Sequence, residues 1–268
     1  MKGLLARWQA RREARALSRR AIPDALWTLT LERLPFLARR PADDLAELRR
    51  LASLFLDRKE FSGGHGLAVD DDMALAIAAQ ACLPVLRFGL SPYDDFVGIH
   101  VLPDEVVVRR EHVDEDGVVH ETDQPLVGEV REGGPMMLSW RHVAAGGEVD
   151  PWVCNVVIHE FAHVLDLGDG LSDGVPPLPA DIDRGDWDTV LDATFARFSA
   201  RVRWGRPTLL DPYAADGRDE FFAVASEAFF VTPAALRREH GALYRLLARW
   251  YRQDPAADDD ALAADTLP

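Results

Sequence analysis

Between Val157 and Leu165 the chain reads Val-Ile-His-Glu-Phe-Ala-His-Val-Leu. If this run is helical, His159 and His163 stand four positions apart, on one face and one turn from each other. Two imidazoles so placed can reach a single ion. Zinc takes neutral histidine nitrogens at roughly 2.0–2.1 Å and is usually four-coordinate. Glu160 follows the first histidine directly and projects beside such an ion rather than onto it. From there its carboxylate can take a proton from a water held at the site. The pattern is the signature of a zinc hydrolase, most often a metallopeptidase. The bare motif also arises by chance, but here Val156 to Ile158, Phe161, Ala162, Val164 and Leu165 are all apolar. A helix buried on nearly all sides has little use for two histidines and a glutamate unless they are paired or hold a metal. The bland alternative is a core helix with two hydrogen-bonded histidines.

A catalytic zinc needs a third protein ligand and keeps its fourth position for water. Three candidates follow. Asp166 shares the histidine face, but its short side chain on the same helix suits orienting an imidazole better than ligating. Asp169 stands six residues after the second histidine, where some zinc peptidases place a ligand. Those proteins turn the chain with a Gly three residues after that histidine, and here the position is Asp166. Glu220 lies further on, in Asp219-Glu220-Phe-Phe-Ala-Val-Ala-Ser-Glu227. Phe221, Val224, Ala225, Ala228 and Phe229 give that segment a helical apolar stripe. Glu220 and Glu227, seven apart, project to nearly the same side among Phe and Ala. Carboxylates there are costly unless a metal or a cation relieves them. An exposed first-turn glutamate is the bland reading of Glu220; Glu227 suits a supporting role better than a ligand.

Several segments in order then resemble a known family. They are Ala79-Gln-Ala-Cys-Leu83, Met137-Leu-Ser-Trp140, Asn155 through Asp166, Asp211-Pro-Tyr213, Glu220 through Glu227, and Tyr251-Arg-Gln-Asp-Pro255. Together they are similar to the Mlc titration factor A (MtfA) family of zinc-dependent peptidases, from about residue 30 to about residue 255. That family resembles the anthrax lethal factor catalytic domain around its site. The resemblance implies a gluzincin arrangement: His159, His163 and Glu220 as zinc ligands, Glu160 as base, and Tyr213 near the reacting carbonyl. It favours Glu220 over Asp169 as third ligand and implies one zinc per chain. Ala228 departs from the family, which often has an aromatic residue there. In the implied mechanism Glu160 takes a proton from water and passes it to the leaving amine, while Tyr213 stabilises the oxyanion. The expected activity is peptide-bond hydrolysis, with an aminopeptidase as its narrower form. The alternative is a regulatory protein that captures a DNA-binding sugar-uptake repressor, its zinc site latent.

For substrate, Met136 to Trp140 is the candidate edge strand, where an extended peptide could add by backbone pairing. His100 and His142 lie nearby, but a lone histidine carries no metal reading.

The elements that must position these residues suggest an α+β chain, with a zincin-like fold: a small mixed sheet beside the active helix and a largely helical C-terminal half. The 268 residues, 48% hydrophobic and 28% charged, can form a globular domain with a substantial core. Residues 1–21 read as a basic helix or arm that pairs with the protein's own acidic surface. Residues 22–253 read as one domain, helical over 22–90, sheet-rich over 91–150 and helical around the metal site over 151–253. Residues 168–185 form a long loop suited to a lid, and 254–268 read as an acidic disordered tail. No run of 18 apolar residues predicts a membrane span. The net charge of −15 disfavours nucleic acid. Cys82 and Cys154 read as buried thiols of a reducing compartment, which predicts a cytoplasmic protein.

Overall fold

The computed structural model describes residues 2–104, 106–113, 119–126, 128–129, 135–146, 152 and 154–265. Four helices come first: α1 (Lys2–Arg19), α2 (Asp24–Arg33), the single turn α3 (Pro35–Ala38) and α4 (Ala42–Arg58). The breaks fall where proline forbids a continuous ladder. Pro35 opens α3, and Pro41 immediately precedes α4. Strand β1 (Glu60–Gly63) follows, a short extended piece inside the stretch expected to be helical. Helix α5 (Asp71–Cys82) is capped by Asp70, whose carboxylate accepts the Met73 N–H, and is buried from Leu75 to Cys82.

The sheet is mixed, with order β1-β2-β6-β5. β2 (Gly98–Leu102) pairs parallel with β1 and with β6 (Met136–Ser139), and β5 (Gly128–Glu129) pairs antiparallel with β6. A separate hairpin joins β3 (Val106–Val113) to β4 (Val119–Leu126). The expected edge strand therefore needs correction. β6 has a neighbour on each side, because β5 pairs with Met137 and Leu138 and stands at the edge among the described residues. Trp140 is not part of the strand but opens helix α6 (Trp140–Ala145).

The C-terminal half is helical: α7 (Val156–Asp166), α8 (Arg184–Arg203), α9 (Arg218–Val231), α10 (Pro233–Glu239), α11 (Gly241–Tyr251) and α12 (Pro255–Asp265). α9 is not amphipathic, as its stripe suggested, but buried on every side from Phe221 to Val231. Arg40, itself buried, donates to the carbonyl of Phe230, and Arg39 donates to that of Val231. Two guanidinium groups thus satisfy carbonyls that the end of α9 leaves free.

Of the tail expected to be disordered over 254–268, Pro255–Asp265 form α12, and 266–268 lie outside the described residues. Pro255 suits a first helical position, Ala256 is buried, and Asp258 and Asp259 pair with Arg40 and Arg39. The aspartates that look like a solvated tail are counter-charges for the arginines capping α9. At the other end, Arg19 of α1 forms a fork with Asp57 and Arg50 reaches Glu13, while Ala16 is buried against the core. Exposed pairs of this kind contribute about 0–1 kcal/mol each, so apolar contact holds α1 on α4 more than charge does. Cys82 is buried, but Cys154 is exposed, because the chain reaches the surface just before α7. No described helix is long and apolar enough to cross a membrane.

Candidate metal centre

Helix α7 carries two opposed faces. On one, Phe161 packs within an aromatic cluster, its ring centroid 4.8 Å from Tyr93, 5.7 Å from Phe55 and 5.8 Å from Phe96. The other presents His159 and His163 to the start of α9. Asn155 caps α7: its side-chain oxygen accepts the Ile158 N–H at 3.0 Å. Glu220 lies in the first turn of α9, where the helix dipole favours a carboxylate.

The three side chains converge. His159 Nε2 stands 3.1 Å from His163 Nε2, and Glu220 Oε2 stands 3.1 Å from the former and 3.4 Å from the latter. A tetrahedral ion with ligands at roughly 2.0–2.1 Å separates its donor atoms by about 3.3–3.4 Å. The observed triangle matches within a few tenths of an ångström. Glu220 Oε2 is buried without a hydrogen-bond donor, as a ligand oxygen would be. These are the described residues' one group of three metal-binding side chains. Two imidazoles and a carboxylate suit a divalent transition metal.

The polarity of the cluster points the same way. Glu227 Oε1 accepts from His159 Nδ1 at 2.8 Å, which leaves the lone pair of Nε2 directed at the site. Burial disfavours the charged form of His159, but Glu220 and Glu227 outweigh it and raise its pKa well above the ordinary imidazole value. Burial likewise opposes ionisation of Glu220, yet the two imidazoles hold its carboxyl far below the usual range. Three lone pairs on one point compete for a proton or a cation, and metal uptake would release that proton. Glu160 is buried beside them. Burial raises its pKa, against the pull of His159 and His163.

Tyr213 stands on the 3-10 turn Pro212–Ala215, whose first N–H groups are met by Asp211: its Oδ1 accepts the Tyr213 N–H at 2.9 Å. The ring is half exposed, and its hydroxyl donates to Glu220 Oε1 at 3.0 Å. It thus borders the centre from the solvent side, 6.3 Å from the His159 ring.

A model of the glucose-regulated metallopeptidase M90 family matches residues 7–252. The chain belongs to the Mlc titration factor A family. It is 33% identical to Mlc titration factor A of Pectobacterium atrosepticum, over 84% of each chain. It is 32% identical to that of Salmonella arizonae, over 87% of this chain and 92% of the relative. It is also 35% identical to an uncharacterized Synechocystis protein, over 89% of this chain and 87% of the relative. The M90 description makes this a metallopeptidase family, which agrees with a metal at the three converging side chains.

The other residues weighed in the sequence fall elsewhere. Asp169 is exposed, and its side chain accepts the Leu171 N–H in its own turn, outside the metal-binding group. His100 bonds Ser62 and His142 bonds Ser139, as ordinary polar pairs. Asp166 is fully buried, but its one described hydrogen bond goes to the loop: Oδ2 accepts the Gly174 N–H at 2.9 Å. Gly174 has φ +75°, and a Cβ there would stand 2.5 Å from the carbonyl oxygen of Arg218. Its own carbonyl accepts the Trp187 indole, and Pro177 accepts that of Trp250. The long loop after α7 is therefore pinned across α8, α9 and α11 rather than hinged as a lid.

Asp166 Oδ1 has no partner, and burial pushes the carboxyl up to about 6, with the Gly174 N–H opposing. The folded state thus prefers the protonated form. That contribution is intact below about pH 4, the unfolded value, and is lost as the pH rises through about 6. Asp166→Asn should remove the loss, so that its stability relative to wild type rises by about 1–3 kcal/mol between about pH 4 and pH 7. Urea unfolding at the two pH values checks this; parallel pH dependence in both proteins contradicts it.

Sequence reasoning assigned no role to two buried residues at the N-terminal cap of α7. Asn155, directly before an apolar run, carries a readable cap signal. Gln80, within an apolar helix, carries only its own oddness there. Both are fully buried.

Proposed function

We propose that this chain is a zinc-dependent peptidase of zincin-like fold, with His159, His163 and Glu220 as ligands of one zinc ion. The observation that carries the reading is the convergence of two Nε2 atoms and Glu220 Oε2 at 3.1–3.4 Å, with Glu160 and the Tyr213 hydroxyl beside them. When bound, zinc would polarise a carbonyl and lower the pKa of water from about 15.7 toward about 7.

The chain's own residues do the rest. Glu227 holds His159 in the tautomer that leaves Nε2 free. Glu160 takes the proton from the attacking water and returns it to the leaving amine. Burial supports that role by bringing its proton affinity closer to the working range. The Tyr213 hydroxyl, released from Glu220 Oε1, donates to the developing oxyanion. An extended peptide would add to the edge strand β5, which packs against α7, by backbone pairing with little side-chain selection.

The aminopeptidase form, and a cytoplasmic place of action, are the narrower parts of this proposal. The relatives' name also favours a second role, capture of a repressor protein. An intact Glu160 supports hydrolysis, since capture alone has no use for a buried base. A mixed peptide library, incubated with the protein before and after chelation, tests the reading. Cleavage that disappears with the chelator and returns with zinc is expected, and losses confined to the amino end would mark an aminopeptidase. Absence of cleavage in the zinc-loaded protein would favour capture.

A further inference from the structure

The motif Ala79-Gln80-Ala81-Cys82-Leu83 has no part in the chemistry above, yet Gln80 is fully buried in α5 and reaches the cap of the metal helix. Its Nε2 donates to the Ala76 carbonyl at 3.0 Å, which turns Oε1 outward. That oxygen accepts from Asn155 Nδ2 at 2.8 Å, and the Gly146 carbonyl accepts from the same Nδ2 at 3.1 Å. Asn155 Oδ1 meanwhile accepts from Ile158 N. Both ends of the Asn155 amide are therefore assigned, and neither can rotate without leaving a buried polar group unpaired. The same residue's main-chain N–H donates to Glu227 Oε2, and Glu227 Oε1 accepts from His159 Nδ1.

We infer that Gln80 is a positioning residue for the metal centre, acting through Asn155 and Glu227 on the orientation of His159. The inference rests on the reading of His159, His163 and Glu220 as metal ligands. The side-chain amides of Gln80 and Asn155 each have one permitted direction, which fixes where the Asn155 main chain stands and so where its N–H meets Glu227, the partner of His159 Nδ1. Among the described residues, Asn155 is the side-chain partner that Gln80 serves outside its own helix, where an apolar side chain would fill α5 equally well. Gly146 serves the same arrangement. A Cβ there would stand 3.1 Å from both Asn155 Nδ2 and Gln80 Oε1, with no backbone cost, since φ is −62°.

The test compares wild type with Gln80→Met, which keeps length but loses the acceptor, and Gln80→Glu. A buried, protonated glutamic acid can still accept from Asn155 and donate to Ala76. Zinc affinity by chelator competition and the visible spectrum of the cobalt-substituted protein are read beside circular dichroism and thermal unfolding. Substituting residues that support metal ligands costs about 10–100-fold in metal affinity. One step further out, Gln80→Met should lose about three- to tenfold and shift the cobalt bands, while Gln80→Glu stays within about twofold of wild type with its bands. If Gln80→Met does not fold, Gly146→Ala, which presses on the same amide pair, carries the comparison and should shift the cobalt bands in its place. A lowered unfolding temperature with unchanged affinity and spectrum would overturn the inference and leave Gln80 a packing residue. A wild type that binds neither zinc nor cobalt would instead overturn the metal reading beneath it.

Discussion

Glu160→Gln is expected to lower peptide hydrolysis by about 10²–10⁴-fold, the usual contribution of a positioned general acid–base group, with one zinc still bound per chain. The amide matches the carboxylate in shape but takes no proton from water and returns none to the leaving amine. Glu160 is outside the triangle of converging atoms, so the substitution leaves the donor set whole. It also removes a buried carboxylate that lies among Glu220 and Glu227 and whose ionisation burial opposes. Thermal stability should therefore hold or rise. Hydrolysis rates, zinc content and unfolding temperature on one preparation check the whole statement. A variant that cleaves at the wild-type rate contradicts the role of Glu160, and one that loses zinc contradicts the geometry.

Tyr213→Phe is expected to cost about 10²–10³-fold in kcat, the typical loss of one oxyanion donor, with KM and zinc content little changed. The turn that carries Tyr213 is built by Asp211 and Pro212, neither of which needs the hydroxyl. The ring is half exposed and stays in place as Phe. The hydroxyl donates to Glu220 Oε1 at 3.0 Å, and this bond must break for it to meet substrate. A loss that appears in kcat rather than in stability identifies a group used in the transition state. Unchanged turnover would make Tyr213 a lining residue that steadies Glu220.

The site was more legible in the sequence than the elements around it. Metal chemistry demands fixed residue types at fixed spacings, so His159, Glu160 and His163 declare themselves within five positions. Glu220 and Glu227 show as carboxylates that an apolar helix has no other reason to carry, and they meet His159 at 3.1 and 2.8 Å. Asp166 shows the limit of such reasoning. Sharing a helical face with the histidines said where it could point, but the Gly174 N–H is where Oδ2 goes. Sequence spacing fixes a direction from the axis, not which neighbour has a donor to offer.

Pairing order was less readable. A strand of two residues, β5, has no periodicity to detect, yet it decides that β6 is an interior strand. The aspartates of α12 read as a solvated tail because composition alone cannot show that Arg39 and Arg40, more than 200 positions earlier, await them. Gln80 and Asn155 are 75 positions apart. Each is an unremarked polar residue until the fold brings the two amides together.

The metal centre is tested most directly by the zinc content and dissociation constant of the wild-type protein and of Glu220→Ala, by equilibrium dialysis. One tightly held zinc per wild-type chain is expected. The variant should lose more than about 100-fold in affinity, beyond the 10–100-fold typical of a residue that only supports a ligand. Wild-type protein that takes up no zinc, or a variant that holds it as tightly as wild type, would contradict the assignment of His159, His163 and Glu220 as a metal centre.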